Sequence, residues 1–190
     1  MAFDAINNVS DDALMVLYAN GDRAAAEALT FRQTPRVFAL ARRLLNNVAE
    51  AEDVTQEALL RLWKIAPHWR QGEAQVSTWL YRVTSNLCVD RLRKKRGVNI
   101  DDIAEPADDA PSVETNMQSR DRARALQNAL AQLPERQRLA VTLRHIEELS
   151  NPEISRIMDI SVEAVESLTS RAKRKLAALL SDQKQALGLK

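Results

Sequence analysis

The stretch ELSNPEISRIMDISVEAVESLTSRAKRKL, residues 148–176, predicts two helices separated by a tight turn. Ser150 and Glu153 have the spacing of a capping box, which predicts the start of a helix. This first helix is predicted to end at Met158, and Ser161 is a suitable N-cap for a second, longer helix. A short helix, a three-residue turn and a longer helix form the helix-turn-helix pattern, which places its second helix in the major groove of DNA.

The two sides of the second helix differ in chemistry. At helical spacing, Val165, Thr169, Ala172 and Leu176 fall on one side and are predicted to face a core. The other side carries hydroxyl and guanidinium donors suited to bases and phosphates, namely Ser167, Ser170, Arg171 and Arg174. An ordinary helical hairpin is the alternative, but the spacing together with the basic end of the helix favours DNA binding.

The rest of the chain is predicted to be helical as well. Only 4 Gly and 6 Pro occur in 190 residues, and apolar residues recur at helical spacing in eight segments, so we predict an all-α fold. The acidic, proline-containing segment 97–116 cannot bury enough apolar surface to order itself and is predicted to be a flexible linker. It separates a predicted N-terminal domain, residues 1–96, from a predicted C-terminal domain, residues 117–190.

The predicted helix 51–65 is apolar on two sides. Val54, Ala58 and Leu62 form its core-facing stripe, while the opposite side presents polar and large apolar residues together, namely Asp53, Gln56, Leu60 and Trp63. A large apolar pair next to an acid and an amide is typical of a surface that docks another protein. The alternative is that a neighbouring helix of the same domain covers Trp63.

The predicted helix 75–96 has an apolar stripe on one side and a basic side opposite to it. The basic side is lined by Arg82, Asn86, Val89, Arg93 and Arg96. Such guanidinium groups can follow phosphates, and an interspersed Asn can bond a base edge. The aromatic rings nearby, Trp63, Trp69, Trp79 and Tyr81, suit unstacked single-stranded bases, although a core role is the alternative for each ring.

Composition argues against several other classes of protein. One cysteine, Cys88, excludes an internal disulfide and a four-cysteine zinc site, and two histidines leave little for metal or acid–base chemistry. No phosphate-cradling glycine loop or nucleophile–base set is recognisable, so we expect neither an enzyme nor a cofactor. The apolar runs are too short to span a membrane, and the N-terminus lacks the features of a signal peptide, so we expect a cytoplasmic protein without membrane insertion.

Three segments in this order resemble the bacterial sigma-70 superfamily of RNA polymerase sigma factors. They are AEDVTQEALLRLWK at 51–64, STWLYRVTSNLCVDRLRKKR at 77–96, and the run from Leu133 to Leu176 that contains the helix-turn-helix. The size of the chain and the direct passage from the first domain to the second are similar to the extracytoplasmic-function, or group IV, type. The resemblance extends from about Asp11 to Leu180.

The resemblance implies partners and roles for particular residues. Core polymerase, through its β′ clamp helices and β flap, would be one partner, and the β′ clamp helices would be bound by Asp53, Gln56, Glu57, Leu60 and Trp63. The minus-10 promoter element would be recognised and opened by Arg82, Asn86, Arg93 and Arg96, with a flipped base held near Asn86. The minus-35 element would be bound as duplex by Ser167, Ser170, Arg171 and Arg174. An anti-sigma factor and a stress regulon are further expectations.

Two positions depart from the usual pattern of that family. Glu166 stands where many members carry a basic residue, and Leu168 stands where they often have Arg, which removes phosphate-neutralising charge near the minus-35 contacts. A sigma-like decoy that binds only an anti-sigma factor is therefore the runner-up, although the basic residues between Arg82 and Arg96 argue against it. A repressor that uses only the helix-turn-helix would leave the N-terminal domain unexplained.

Overall fold

The computed structural model describes residues 8–72, 75–98 and 117–186, which form eight α-helices and one 3-10 turn, Ala66–His68. The helices are α1 (Asp11–Ala19), α2 (Arg23–Leu45), α3 (Val48–Ile65), α4 (Val76–Val98), α5 (Met117–Ala131), α6 (Glu135–His145), α7 (Asn151–Met158) and α8 (Val162–Ala186). The all-α prediction is confirmed. Most of the predicted linker, residues 99–116, lies outside the described residues.

Short polar side chains define where the first helices begin. The Oγ of Ser10 accepts from the backbone N–H of Ala13 at 3.3 Å, and the carboxylate of Asp22 accepts from that of Ala24 at 2.9 Å. The amide oxygen of Asn47 accepts from the N–H of Glu50 at 3.0 Å. Because this cap lies ahead of the first periodic apolar residue, α3 begins three residues earlier than the apolar spacing predicts.

Two apolar clusters each belong to one half of the chain. The first joins α1, α2, α3 and α4 around Leu14, Leu29, Leu62 and Leu80, all fully buried. The second joins α5, α6 and α8 around Leu130, Val141 and Ala172. The predicted apolar stripes are buried, including Val54 and Ala58 of α3 and Val165, Thr169, Ala172 and Leu176 of α8.

A third apolar cluster contains residues from both halves. Leu40 of α2 and Cys88 of α4 share it with Leu143 of α6 and with Ile154 and Ile157 of α7. As a result, the buried part of α4 is wider than its predicted apolar stripe of Val76, Leu80, Val83 and Leu87. The additional buried residues are Tyr81, Thr84, Ser85 and Cys88. The helix-turn-helix is therefore packed directly against the basic helix of the N-terminal half.

Candidate nucleic-acid and polymerase interfaces

The helix-turn-helix has the predicted caps and turn. The carboxylate of Glu153 accepts from the backbone N–H of Ser150 at 2.8 Å and from its hydroxyl at 2.6 Å, and these bonds lower the pKa of Glu153 below its ordinary value. Asp159 ends α7 in the left-handed conformation, with φ +52°, which a short polar side chain tolerates. The Oγ of Ser161 accepts from the N–H of Ala164 at 3.2 Å and caps α8.

The outward side of α8 presents the predicted DNA-contacting residues together. Ser167, Ser170, Arg171 and Arg174 are all exposed, and the neighbouring Lys173 and Lys175 are exposed as well. Among the described side chains, Arg171 and Arg174 lie within salt-bridge distance of no carboxylate. This side of α8 therefore offers hydroxyl donors and unneutralised cations to a ligand.

The two atypical positions on α8 have different surroundings. The carboxylate of Glu166 accepts from the side-chain amide of Asn151 at 3.2 Å, which links the start of α7 to α8. Leu168 is half-buried. At position 166, a contact within the helix-turn-helix therefore takes the place of the basic side chain that was expected there.

A groove of about 490 Å³ runs beside α8 and contains residues that the sequence pattern did not indicate. Arg144 and His145 of α6 line it together with Ser170, Lys173 and Arg174 of α8. Burial lowers the pKa of His145, and the charges of Lys173 and Arg144 lower it further. Arg144 and His145 lie 18 and 17 residues before the start of α8 at Val162, so only the packing of α6 against α8 brings them to this groove.

Some polar and basic side chains of α4 are exposed, and others form ion pairs with α3. Arg82, Asn86 and Arg93 are exposed as predicted, and Arg96 lies within α4 with its side chain outside the described part. Two other cations of this helix are bound to α3. Arg91 lies 3.4 Å from the carboxylate of Asp53 and Lys95 lies 2.7 Å from that of Glu50.

The aromatic rings near α4 pack against the protein itself. Trp69 and Trp79 meet edge to face with centroids 6.3 Å apart, and the Nε1 of Trp69 donates to Asp12 at 3.2 Å. Tyr81 is buried in the cluster shared by both halves. Trp63 lies 4.7 Å from the ring of Tyr18, so a neighbouring helix contacts it, as the alternative interpretation expected. These contacts favour the core role over stacking on bases.

A second groove, of about 420 Å³, lies between α3 and α4. Four of the five predicted polymerase-binding residues line it, namely Asp53, Gln56, Glu57 and Leu60, and Trp63 does not. Leu60 is 52% exposed and Leu87 also lines the groove, while Glu57 and Arg61 form an ion pair at 2.8 Å. An exposed leucine among charged side chains suits a protein partner with a complementary helix surface.

The described residues bring no three His, Cys, Asp or Glu side chains together as metal ligands. Cys88 is fully buried, and burial raises the pKa of its thiol to about 12, so it is a residue of the core. None of the described helices is long and apolar enough to cross a membrane.

Comparison with known proteins identifies the class. The family model for sigma-70 region 2 matches residues 31–98, and that for sigma-70 region 4 matches residues 123–176. The chain is 32% identical to the ECF RNA polymerase sigma factor SigM of Mycobacterium tuberculosis, over 95% of this chain and 89% of the relative. It is also 32% identical to the ECF sigma factor SigW of Bacillus subtilis, over 85% of this chain and 92% of that one.

The chain therefore belongs to the extracytoplasmic-function (ECF) group of the sigma-70 family, whose members are transcription initiation factors. Among solved structures, CnrH in complex with the cytosolic domain of CnrY has a TM-score of 0.70 and is 23% identical, with 90% of this chain and 97% of that chain covered. The sigma factor RpoE of Bartonella quintana, solved with the anti-sigma factor NepR, has a TM-score of 0.64 at 23% identity, with 82% and 96% covered. These two likenesses show the fold.

Proposed function

We propose that this protein is an alternative sigma factor that binds core RNA polymerase and directs it to a set of promoters. The observation that carries the proposal is that one chain presents three separate surfaces. Two of them are exposed basic faces, on α4 and on α8, and the third is the charged groove between α3 and α4. A repressor needs only the surface of the helix-turn-helix, on α8. The family to which the chain belongs uses both regions, which supports a role for all three surfaces.

The C-terminal region, residues 117–190, is proposed to bind the minus-35 element as duplex. Ser167, Ser170, Arg171 and Arg174 are exposed along one side of α8, where hydroxyl and guanidinium groups can reach base edges and phosphates. The adjoining groove adds Arg144 and Lys173, whose positive charges can neutralise phosphates beside α8. Glu166 lines the same groove, where its carboxylate accepts from the side-chain amide of Asn151.

The N-terminal region, residues 1–96, is proposed to bind the minus-10 element and to favour its melted form. Arg82, Arg93 and Arg96 would follow the phosphates of the non-template strand, and Asn86 would hydrogen-bond a base turned out of the stack. Unpairing and unstacking cost about a few kcal/mol for each flipped base. Because the contact with the turned-out base forms only with the open strand, its binding energy offsets that cost and favours melting, while the polymerase carries out all covalent chemistry.

The groove between α3 and α4 is proposed to bind the β′ clamp helices of the polymerase. Its exposed Leu60 and the carboxylates of Asp53 and Glu57 combine an apolar anchor with a charged rim. The solved structure of the sigma factor RpoE, which has the same fold, is a complex with the anti-sigma factor NepR, so we further propose that an anti-sigma factor controls access to these surfaces. Such a sigma factor acts in the cytoplasm, where its polymerase is.

The test is titration of the full chain into bacterial core RNA polymerase, followed by transcription of genomic DNA with the purified complex. Tight binding and discrete new start sites are expected, and alignment of the sequences upstream of the starts identifies both promoter elements. Binding without any start site would contradict promoter recognition. Absence of binding would favour the runner-up, a decoy that binds an anti-sigma factor only.

A further inference from the structure

One carboxylate lies among the cations beside α8. Glu166 is exposed on that helix and lines the groove of about 490 Å³ next to it. The groove also contains three cations, namely Arg144, Lys173 and Arg174. Among the described side chains, none of these cations lies within salt-bridge distance of Glu166, and the guanidinium of Arg144 donates instead to the backbone carbonyl of Leu149 at 3.1 Å. The charge of Glu166 is therefore not neutralised by an ion pair within the described part of the chain.

A neighbouring helix holds this carboxylate in place. The Nδ2 of Asn151, the first residue of α7, donates to the Oε1 of Glu166 at 3.2 Å, and no other described side chain bonds the Oε2. Glu166 is the fifth residue of α8, and Ser170, four residues later on the same side of the helix, lines the same groove. Residues near the N-terminus of the second helix of a helix-turn-helix are those that reach base edges. An oriented acceptor therefore occupies a position from which bases are recognised.

A carboxylate at this position selects its partner by hydrogen-bonding chemistry. Carboxylate oxygens only accept hydrogen bonds, and phosphate oxygens do the same, so Glu166 cannot contribute to phosphate binding. In the major groove the donors are the exocyclic amines, N6 of adenine and N4 of cytosine. The amine of adenine lies between two acceptors, its own N7 and the O4 of thymine, whereas that of cytosine has an acceptor, the O6 of guanine, on one side only. Because a carboxylate is repelled by acceptors, cytosine is the favoured partner.

We propose that Glu166 determines specificity by accepting a hydrogen bond from the exocyclic amine of a cytosine in the minus-35 duplex. Asn151 is a positioning residue that orients the carboxylate for this contact. The inference rests on the proposed function, because it needs α8 to lie in the major groove of the promoter. It deepens that function by naming one base that the promoters share, whereas contacts of cations such as Lys173 with phosphates carry no sequence information.

The test is selection of DNA duplexes by the full chain. The protein is incubated with duplexes randomised over the length of a promoter element, and the bound duplexes are sequenced. The parent protein is expected to prefer cytosine about tenfold over the other bases at one position, which is within the range that a single mismatched base pair usually costs.

The variants of Glu166 are expected to change that one position and no other. Glu166→Gln is expected to switch the preferred base from cytosine to adenine, because an amide both accepts from the N6 and donates to the N7 of adenine. Glu166→Ala is expected to abolish the preference there. Asn151→Ala is expected to keep cytosine but to lower the preference about threefold, since the carboxylate then has to be ordered on binding. The remaining positions of the selected sequence serve as the internal reference for folding.

Glu163→Gln is the matched control, because Glu163 is exposed on α8, has the same charge and does not line the groove. It is expected to strengthen binding to all duplexes alike, since a negative charge is removed from a DNA-facing helix, and to leave every base preference unchanged. If Glu166→Gln also strengthens binding to all duplexes alike and switches no base, the role of Glu166 in specificity is overturned. The same switch of base in Glu163→Gln would overturn it too.

The selection also separates this role from the proposed function. A sequence that is selected by the parent protein, bound more weakly by Arg171→Ala and left unchanged by Glu166→Gln would keep the proposed function and overturn the role of Glu166 alone. A parent protein that selects no sequence would contradict recognition of duplex DNA by α8, and with it both the proposed function and the role of Glu166.

Discussion

The two proposed DNA-binding faces differ in how much of their charge the protein itself uses. On α8, Arg171 and Arg174 are exposed and form no ion pair with a described carboxylate. On α4, Arg91 and Lys95 are bound to Asp53 and Glu50 of α3. Counting basic residues therefore overstates what α4 offers to a ligand, since part of its charge holds two helices together. The same holds for Trp63, whose ring packs on Tyr18.

The largest expected effect tests whether Trp63 stabilises the N-terminal half or contacts the polymerase. Trp63→Ala is expected to lower the free energy of unfolding by about 3 kcal/mol, because a Trp truncated to Ala in a packed site leaves a cavity. Urea denaturation followed by circular dichroism measures this loss, with Leu60→Ala as the control, since an exposed substitution changes stability by less than about 0.5 kcal/mol. Unchanged stability together with weaker polymerase binding would return Trp63 to the interface.

The next effect concerns the unpaired face of α8. Arg171→Ala is expected to weaken binding to minus-35 duplex by about 1–3 kcal/mol and to leave the affinity for core polymerase unchanged. Fluorescence anisotropy with the promoter duplex and with labelled polymerase measures the two affinities. Lys64→Ala, which removes an exposed cation from α3, is the control. Parallel loss of both affinities, or of neither, would contradict the separation of roles.

A smaller effect is expected in the groove between α3 and α4. Leu60→Ala removes an exposed anchor at its edge and is expected to weaken polymerase binding by about 1–2 kcal/mol without changing duplex binding. Titration of labelled polymerase measures it, with Phe31→Ala, another exposed apolar truncation on α2, as the control. Equal losses from both variants would mean that the groove is not the polymerase site.

The smallest expected effect compares two arginines of α4, namely Arg91, which forms an ion pair, and Arg93, which is exposed. Arg91→Ala is expected to lower the free energy of unfolding by only about 0.2–1 kcal/mol, the usual value of an exposed ion pair, and to change DNA binding less than Arg93→Ala does. Both variants are compared by urea denaturation and by binding to a melted minus-10 strand. A larger loss of strand binding for Arg91→Ala would show that its pairing with Asp53 yields to DNA.

Local signals in the sequence predicted most of the fold. The caps at Ser150 and Ser161, the three-residue turn between the two helices and the buried stripe of α8 all depend on residues within a few positions of each other, and each is present. All eight helices were predicted, with differences of a few residues at their ends. The exposed positions of α4 and α8 followed from the same periodicity.

What the sequence did not predict depends on contacts between distant segments. The packing of Trp63 on Tyr18, the pairing of Arg91 with Asp53 and the groove that includes Arg144 need the tertiary arrangement. Glu147 carried no signal at all, because a single acid after a helix is ordinary and the side chains that it bonds, on α4 and α2, lie 66 and 104 residues away. Helical periodicity identifies a buried face but does not say which helix covers it.

The cluster shared by both halves also has a consequence for synthesis on the ribosome. Leu40, Tyr81 and Cys88 are translated long before Ile154 and Val165, their partners in that cluster, and about 77 residues separate Cys88 from Val165. At about 5–20 residues per second, this side of the nascent N-terminal half stays uncovered for roughly 4–15 s. During that interval the apolar surface that later joins the halves is available to a chaperone on the emerging chain.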